Sequence, residues 1–218
     1  MHRKLLLVSC GAIVFIAFAL GIWGHRNKQE QALVKLAQQN NSAFNRPYSP
    51  VYGPTTAKVR IVEFFDPACE TCRALYPMVK KLVDGQQGKV QLIIRYAAFH
   101  QGSDQAVKIL EAARVQGLFW PVTEAVLRGQ PQWADHGKPN PELIWDMLDG
   151  TGLNIRKARD DAAAPQAQLN LDQDMADAKA LEVTRTPGFF VNGKPLTDFG
   201  YEQLKALVEQ EVKLAYAP

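Results

Sequence analysis

Two cysteines separated by two residues, Cys69 and Cys72, follow closely on an apolar, β-branched run, and this junction constrains the fold more than any other feature of the sequence. The run from Val59 to Phe65 predicts a buried strand that contains a single acid, Glu63. After the cysteines, apolar residues recur at helical spacing as far as Leu82. We therefore predict that the pair lies between a strand and a helix, where it can clip a loop, hold a metal or do chemistry.

The segments after this junction predict the order of the remaining elements. A second apolar run, Val90 to Tyr96, predicts another strand, which completes a right-handed β-α-β unit with parallel strands. From His100 to about Leu181 the apolar residues keep helical spacing, so we expect an all-helical insertion. In the last segment Asn192-Gly193 separates two strand-like runs, which is a hairpin signal, and Tyr201 to Val212 predicts a closing helix. The predicted order is β-α-β, helices, β-β-α.

The N-terminus predicts that the rest of the chain is exported. Leu5 to Trp23 is an apolar run without a charge, just long enough to cross a bilayer as a helix. It is longer than the usual apolar core of a signal peptide, which has about 7 to 15 residues. We therefore predict that residues 1–24 form a transmembrane signal anchor, with a cleaved signal peptide as the alternative. Cys10 lies within the run, and we interpret it as a buried membrane cysteine rather than a lipoprotein processing site.

Composition divides the exported part into four predicted regions. Residues 25–52 are first polar and helix-forming and then proline-rich, which predicts a stalk and linker. We assign residues 53–99 to the first half of the fold, with the cysteine pair, residues 100–181 to the helical insertion and residues 182–218 to the second half. The net charge of +3 is small and the basic residues are scattered, so we expect no nucleic-acid partner.

Three roles compete for the cysteine pair, and catalysis fits best. A structural zinc site needs a full tetrahedral ligand set, but there is no second cysteine pair and His100 and His136 stand apart, so no metal is expected. A structural disulfide between the two would close almost no loop and would stabilise the fold little. A cysteine at a helix N-terminus, by contrast, is stabilised as a thiolate. We predict that Cys69 is the nucleophile and that Cys72 resolves the mixed disulfide, with the pair forming the redox-active disulfide.

The segment from Glu63 to Cys72 resembles the active site of the thioredoxin superfamily, and specifically its DsbA-like branch. The predicted element order is similar too, since that branch carries a helical domain between its β-α-β and β-β-α halves. The resemblance covers about residues 53–213. It implies an α/β protein with a thioredoxin fold and an inserted all-helical domain, acting as a protein disulfide oxidoreductase, and no cofactor is expected.

Two further positions carry the resemblance. Thr186-Pro187, ahead of the hairpin, is similar to the family's cis-proline loop, which implies a cis bond beside the cysteines and a backbone edge for an extended substrate. Glu63 stands where the superfamily keeps a buried acid. A carboxylate in an apolar strand has a raised pKa and can accept the proton that Cys72 loses. The alternative is that Glu63 points to solvent from a half-exposed strand.

The residues between the cysteines depart from the strongly oxidising members of the branch, which have a histidine as the second middle residue. Here that residue is Thr71, and it is preceded by Glu70. A negative charge beside Cys69 should raise its pKa and favour the disulfide, while Arg73 and Arg185 oppose this effect. We therefore predict a mild oxidant.

The resemblance also implies a location and partners. We expect a periplasmic protein on the inner membrane, with exported proteins that contain cysteine pairs as substrates and a membrane redox partner, DsbB-like or DsbD-like. Thr186 before the proline resembles isomerase and reductase-coupled members, so a disulfide isomerase or reductase kept reduced by a membrane partner is an alternative. A redox-inert peptide-binding chaperone is a third reading, and the intact cysteine pair argues against it.

Overall fold

The computed structural model describes residues 2–135 and 138–217. Within its first helix, the side chains of residues 2–14, Ala17 and Glu30 lie outside the described set. Of the residues considered above, the side chain of Cys10 and the whole of His136 lie outside the described residues.

In the described part of the chain, five strands form one mixed sheet. They are β1 (Val51–Tyr52), β2 (Val59–Phe65), β3 (Val90–Tyr96), β4 (Gly188–Val191) and β5 (Lys194–Pro195). Their spatial order is β1-β3-β2-β4-β5, so β2 lies at the centre with β3 and β4 on its two sides. The near-continuous apolar sequences of β2 and β3 fit strands that are covered on both faces.

Seven α-helices and two short 3-10 helices surround this sheet in the described residues. The α-helices are α1 (His2–Gln39), α2 (Glu70–Gly85), α3 (Ser103–Val115), α4 (Phe119–Trp133), α5 (Ile155–Ala163), α6 (Pro165–Ala180) and α7 (Tyr201–Ala215). The 3-10 helices are Asn41–Phe44 and Pro141–Met147. The predicted fold class is confirmed, with α3 to α6 as the helices inserted between the two halves.

The strand pairing brings the two halves of the fold together. β2 and β3 are parallel, with Phe65 opposite Tyr96, as predicted for the β-α-β unit. β4 is antiparallel to β2, with Phe64 opposite Gly188, although the two strands are far apart in sequence. The predicted hairpin joins β4 to β5, and Asn192 and Gly193 adopt the positive φ angles, 48° and 80°, that a two-residue hairpin turn requires.

Side chains alternate between two apolar layers on the faces of the sheet. Ile61 and Phe65 belong to the larger layer, which contains the buried faces of α2, α3 and α4. Phe64 lies on the opposite face and packs with Ala37 and Phe44. Residues ahead of the predicted boundary at residue 53 therefore contribute to the core, because their few apolar side chains cover the second face of the sheet.

A buried ion cluster ties the helical insertion to the sheet and to the segment ahead of it. The Arg95 guanidinium on β3 is fully buried and lies 2.5 Å from Asp174 and 2.6 Å from Asp177, both on α6. Arg46 donates a second bond to Asp177 at 2.7 Å. Because Asp177 bonds to both arginines, three parts of the chain meet at this cluster.

The predicted membrane anchor falls largely on residues whose side chains are outside the described set. Helix α1 (His2–Gln39) continues without a break from the predicted anchor into the predicted stalk. Among the residues that the structure describes, no helix has both the length and the apolar character that crossing a membrane requires.

Candidate active site

Cys69 and Cys72 lie at the start of α2, at the carboxyl end of β2. Cys69 is the N-cap residue, with an extended backbone (φ −74°, ψ 120°), and Cys72 lies in the first helical turn. The Cys69 residue is 6% exposed, whereas Cys72 is fully buried. Cys69 is thus the sulfur nearer to the surface, beside the N–H groups of a helix N-terminus.

The two thiols have pKa values that move in opposite directions. A hydrogen bond from Cys72 lowers the pKa of Cys69 to about 5, against the effect of burial, with further help from Thr186 and the backbone N–H groups of Cys72 and Thr71. Burial raises the pKa of Cys72 well above its usual value, and the bond to Cys69 and the charge of Glu63 add to this. At neutral pH the outer sulfur is therefore a thiolate and the inner one a thiol.

The charged neighbours that were considered from the sequence do not decide the direction of the pKa shift of Cys69. Glu70 alone should raise the pKa of Cys69, but the shift has the opposite sign, because hydrogen bonds at the sulfur outweigh the neighbouring charge. The Arg185 guanidinium packs over the Phe199 ring, 5.4 Å from its centre.

Glu63 occupies the middle of β2, between Ile94 on β3 and Phe189 on β4. It is fully buried, and neither carboxylate oxygen has a hydrogen-bond partner among the described residues. Burial, with a smaller effect from the charge of Cys69, raises its pKa to about 8. The alternative reading, in which Glu63 faces solvent, is therefore wrong, and the carboxyl group is neutral over much of the physiological range.

The loop ahead of β4 is held against Cys69 by the pairing of β4 with β2. The Thr186–Pro187 peptide bond is cis, as the resemblance implied. Cys69 Sγ lies 3.3 Å from the carbonyl oxygen of Thr186, to which it donates only while the sulfur is protonated. The structure thus brings Thr186 to Cys69, as predicted from the sequence.

Asp66, a residue that the sequence analysis missed, organises the turn before Cys69. It is fully buried, its Oδ1 accepts the N–H of Ala68 at 2.9 Å, and its backbone carbonyl accepts the N–H of Cys69 at 3.1 Å. Its Oδ2 lies 2.7 Å from Nδ1 of His100. A signal was present, since an acid at the end of one parallel strand and a histidine just after the next must lie at the same sheet edge.

Gln130 on α4 supports the same turn from the helical insertion. Its side chain is buried, and Nε2 donates to the carbonyl oxygens of Pro67 at 2.8 Å and Cys69 at 3.0 Å. A glutamine within an amphipathic helix gives no sequence signal for this role. The insertion therefore contributes directly to the position of Cys69.

A family model described as Thioredoxin matches residues 45–210. The chain belongs to the thioredoxin family. Its fold is similar to that of a thioredoxin-like oxidoreductase from Silicibacter pomeroyi DSS-3, at 31% identity and a TM-score of 0.68, with 79% of this chain and 97% of that chain covered. It is also 26% identical over 194 residues to disulfide bond formation protein D of Bacillus subtilis strain 168, which covers 82% of this chain and 85% of that protein.

Part of this thioredoxin-family chain matches a much longer protein. The Na(+)/H(+) antiporter NhaA of Herminiimonas arsenicoxydans is 27% identical over 146 residues, which covers 67% of this chain but 22% of the antiporter. The chain thus spans about a fifth of the length of the antiporters that it matches. The family predicted from the sequence is confirmed, and the names of these relatives agree with the predicted DsbA-like class.

Proposed function

We propose that this protein oxidises cysteine pairs in exported proteins, with Cys69 as the nucleophile and Cys72 as the resolving thiol. The observation that carries the proposal is the opposed ionisation of the pair, in which Cys69 has a pKa of about 5 and the pKa of Cys72 is raised well above its usual value. A stabilised Cys69 thiolate favours the reduced enzyme, and so favours transfer of the disulfide to the substrate.

The reaction balances with these groups. A substrate thiolate attacks Cys69 Sγ of the oxidised enzyme, the Cys69–Cys72 bond breaks, and Cys72 leaves and takes up a proton. The second substrate thiolate then attacks the substrate sulfur of the mixed disulfide, and Cys69 leaves as a thiolate. Two electrons pass from the substrate pair to the enzyme pair. The low pKa of Cys69 makes it a good leaving group in the second step.

We propose that Glu63 donates the proton that Cys72 gains and accepts the proton that Cys72 loses. The charge of Glu63 raises the pKa of Cys72, so the two groups interact, and the raised pKa of Glu63, about 8, lets it both hold and release a proton near neutral pH. Its burial with no competing hydrogen bond among the described residues supports this assignment.

We propose that an extended substrate segment binds at Thr186 and Pro187. The Thr186 carbonyl oxygen lies 3.3 Å from Cys69 Sγ. A substrate backbone that pairs with this loop would therefore pass beside the reacting sulfur. A groove of about 1300 Å³ opens beside this loop, and its lining includes Phe99, Arg185 and Trp23. The lining combines apolar side chains with basic ones, Arg26, Lys179 and Arg185, and acidic ones, Glu182 and Asp198, and such a mixed surface suits an unfolded peptide segment.

We place this activity in the periplasm, with a membrane partner, DsbB-like or DsbD-like, that resets the enzyme. The apolar run within residues 1–24 supports export, whether it stays as an anchor or is cleaved. We keep residues 53–99 and 182–218 as the two halves of the catalytic fold and residues 100–181 as its insertion. Fractionation of cells that express the chain tests the anchor, which requires the uncleaved protein in the membrane fraction.

The reduction potential, measured in glutathione buffers, tests the direction of the reaction. We expect a value between about −180 mV, that of protein disulfide isomerase, and about −120 mV, that of DsbA. A value near about −270 mV, that of thioredoxin, contradicts an oxidant and favours the reductase reading that Thr186 suggested. Cys69→Ser should abolish exchange, and Cys72→Ser should accumulate mixed disulfides with substrates.

A further inference from the structure

Asp66 and His100 form a hydrogen-bonded pair outside the cysteine motif. Asp66 follows the last residue of β2 and His100 lies a few residues beyond β3, and the parallel pairing of Phe65 with Tyr96 brings both to the edge of the sheet that carries Cys69. The Asp66 carboxylate is fully buried, while the His100 side chain is 41% exposed.

The Asp66 carboxylate is fully engaged, and this fixes the orientation of the imidazole. Oδ2 accepts the backbone N–H groups of Phe99 at 2.8 Å and His100 at 3.0 Å, in addition to Nδ1 of His100 at 2.7 Å. Oδ1 accepts the Ser103 hydroxyl and the N–H of Ala68. A carboxylate at this distance places the proton on Nδ1, so Nε2 can gain a proton without the loss of the bond to Asp66.

The same aspartate carries the turn that ends in Cys69. Its backbone carbonyl accepts the N–H of Cys69 at 3.1 Å, so the imidazole and the nucleophile are held by one buried residue. The negative charge of Cys69 is among the causes that raise the pKa of His100, after the opposing effect of burial and the larger effects of Asp66. Because an interaction between two charges is mutual, a protonated His100 must stabilise the Cys69 thiolate in return.

We propose that His100, held by Asp66, is a positioning residue whose positive charge stabilises the Cys69 thiolate from outside the Cys-x-x-Cys motif. It supplies a positive charge that the motif lacks, since the residues between the cysteines are Glu70 and Thr71. Of the described groups that act on His100, Asp66 at the end of β2 bonds to its ring, the neutral Ser103 at the start of α3 donates its N–H to the His100 carbonyl, and Cys69 at the start of α2 acts through its charge. The inference rests on the proposed oxidase function, and it makes the protein more oxidising at a pH where His100 is protonated.

The test compares three full-chain variants with the wild type in glutathione buffers across pH. His100→Gln removes the charge and keeps a polar side chain, His100→Lys keeps a positive charge, and His25→Gln makes the same change at an exposed histidine of α1. Ultraviolet absorbance of the thiolate gives the pKa of Cys69 in each reduced protein. We expect His100→Gln to raise this pKa by about half to one unit, which lowers the ratio of thiolate to thiol about three- to tenfold.

The pH profile separates an electrostatic role from a structural one. The equilibrium constant for oxidation of the substrate should be about three- to tenfold higher for the wild type than for His100→Gln below the pKa of His100, and this ratio should approach one above it. His100→Lys should keep the higher equilibrium constant both below and above the pKa of His100. His25→Gln should match the wild type at every pH.

Two outcomes overturn the inference. One is an unchanged pKa of Cys69 in His100→Gln, and the other is a ratio that does not vary with pH, which assigns His100 a structural role. Either can occur while Cys69→Ser still abolishes exchange, in which case the proposed function stands without this inference. Absence of exchange in the wild type, in contrast, contradicts the proposed function itself.

Discussion

At the scale of single residues, the site depends on three ionisable groups whose pKa values are displaced from their usual ranges by one environment. Burial raises the pKa of Glu63 and of Cys72, and hydrogen bonds at the N-terminus of α2 lower that of Cys69. Cys69 and Cys72 differ by a single helical turn, but only Cys69 lies at the cap position. The opposite pKa shifts of the two thiols therefore follow from their positions in the fold, not from the identity of the residues.

Glu63 makes stability depend on pH, and Glu63→Gln should remove this dependence. The folded protein keeps the Glu63 proton up to about pH 8, whereas an unfolded chain releases it near pH ~4.3. The folded state binds more protons in this window, so the free energy of unfolding should fall, on the order of a few kcal/mol, as the pH rises through it. Urea unfolding at a series of pH values measures this effect.

The oxidised protein is the right form for this measurement, because in the reduced protein Cys69 titrates in the opposite sense. The low pKa of Cys69 adds stability to the reduced form as the pH rises. Glu209→Gln, on the exposed face of α7, is the matched control and should keep the wild-type profile. An oxidised wild type with a flat profile between pH ~4.3 and about 8 contradicts a raised pKa for Glu63.

At the scale of elements, local sequence patterns predicted the strands and helices, whereas contacts between distant segments were beyond them. The apolar run of β2, the hairpin at Asn192-Gly193 and the burial of Glu63 are all visible in a short window of sequence. The pair formed by Asp66 and His100 joins residues 34 positions apart, and Gln130 lies 61 positions from Cys69. The apolar periodicity of the sequence places such polar residues on a helix or a strand. It does not show which group elsewhere in the chain they hydrogen-bond to.

Helix α4 should stabilise the active-site turn through Gln130. Gln130→Met has a similar volume but leaves the buried carbonyl oxygens of Pro67 and Cys69 without this donor. We expect a loss of about 1–3 kcal/mol in the free energy of unfolding and faster hydrogen exchange in the turn. The control is Gln168→Met on α6, whose amide bonds only to the exposed Asp172 among the contacts described.

Equal stabilities of the Gln130→Met and Gln168→Met proteins, with unchanged exchange rates, would show that α4 does not support the turn. A loss of stability without faster exchange near Cys69 would instead place the effect in the packing of α4.

At the scale of the whole molecule, the chain segments are joined by a polar cluster as well as by apolar layers. Arg95 on the sheet, Asp174 and Asp177 on the insertion, and Arg46 ahead of β1 share their bonds. The sequence suggested a linker before residue 53, since prolines and polar residues prevail there. Its role in the fold depends on charges that lie about 130 positions away, and no local pattern reports them.

Asp174→Asn should destabilise the whole protein, because it leaves a buried Arg95 with less compensating charge. Removal of one partner from a buried ion pair costs about 3–5 kcal/mol. The same change in an exposed pair, Asp161→Asn beside Lys157, should cost less than about 1 kcal/mol. Urea unfolding of both variants measures the difference, and similar losses in the two proteins would contradict a structural role for the cluster.

The pairing of β4 with β2 has a consequence for the way in which the chain is made. Thr186 follows Cys69 by 117 residues, and a ribosome adds about 5–20 residues each second. For roughly ten seconds the cysteine pair therefore exists as a nascent segment that lacks its final neighbouring strand. The loop that places Thr186 beside Cys69 belongs to about the last sixth of the chain, so the surroundings of the cysteine pair are completed only at the end of synthesis.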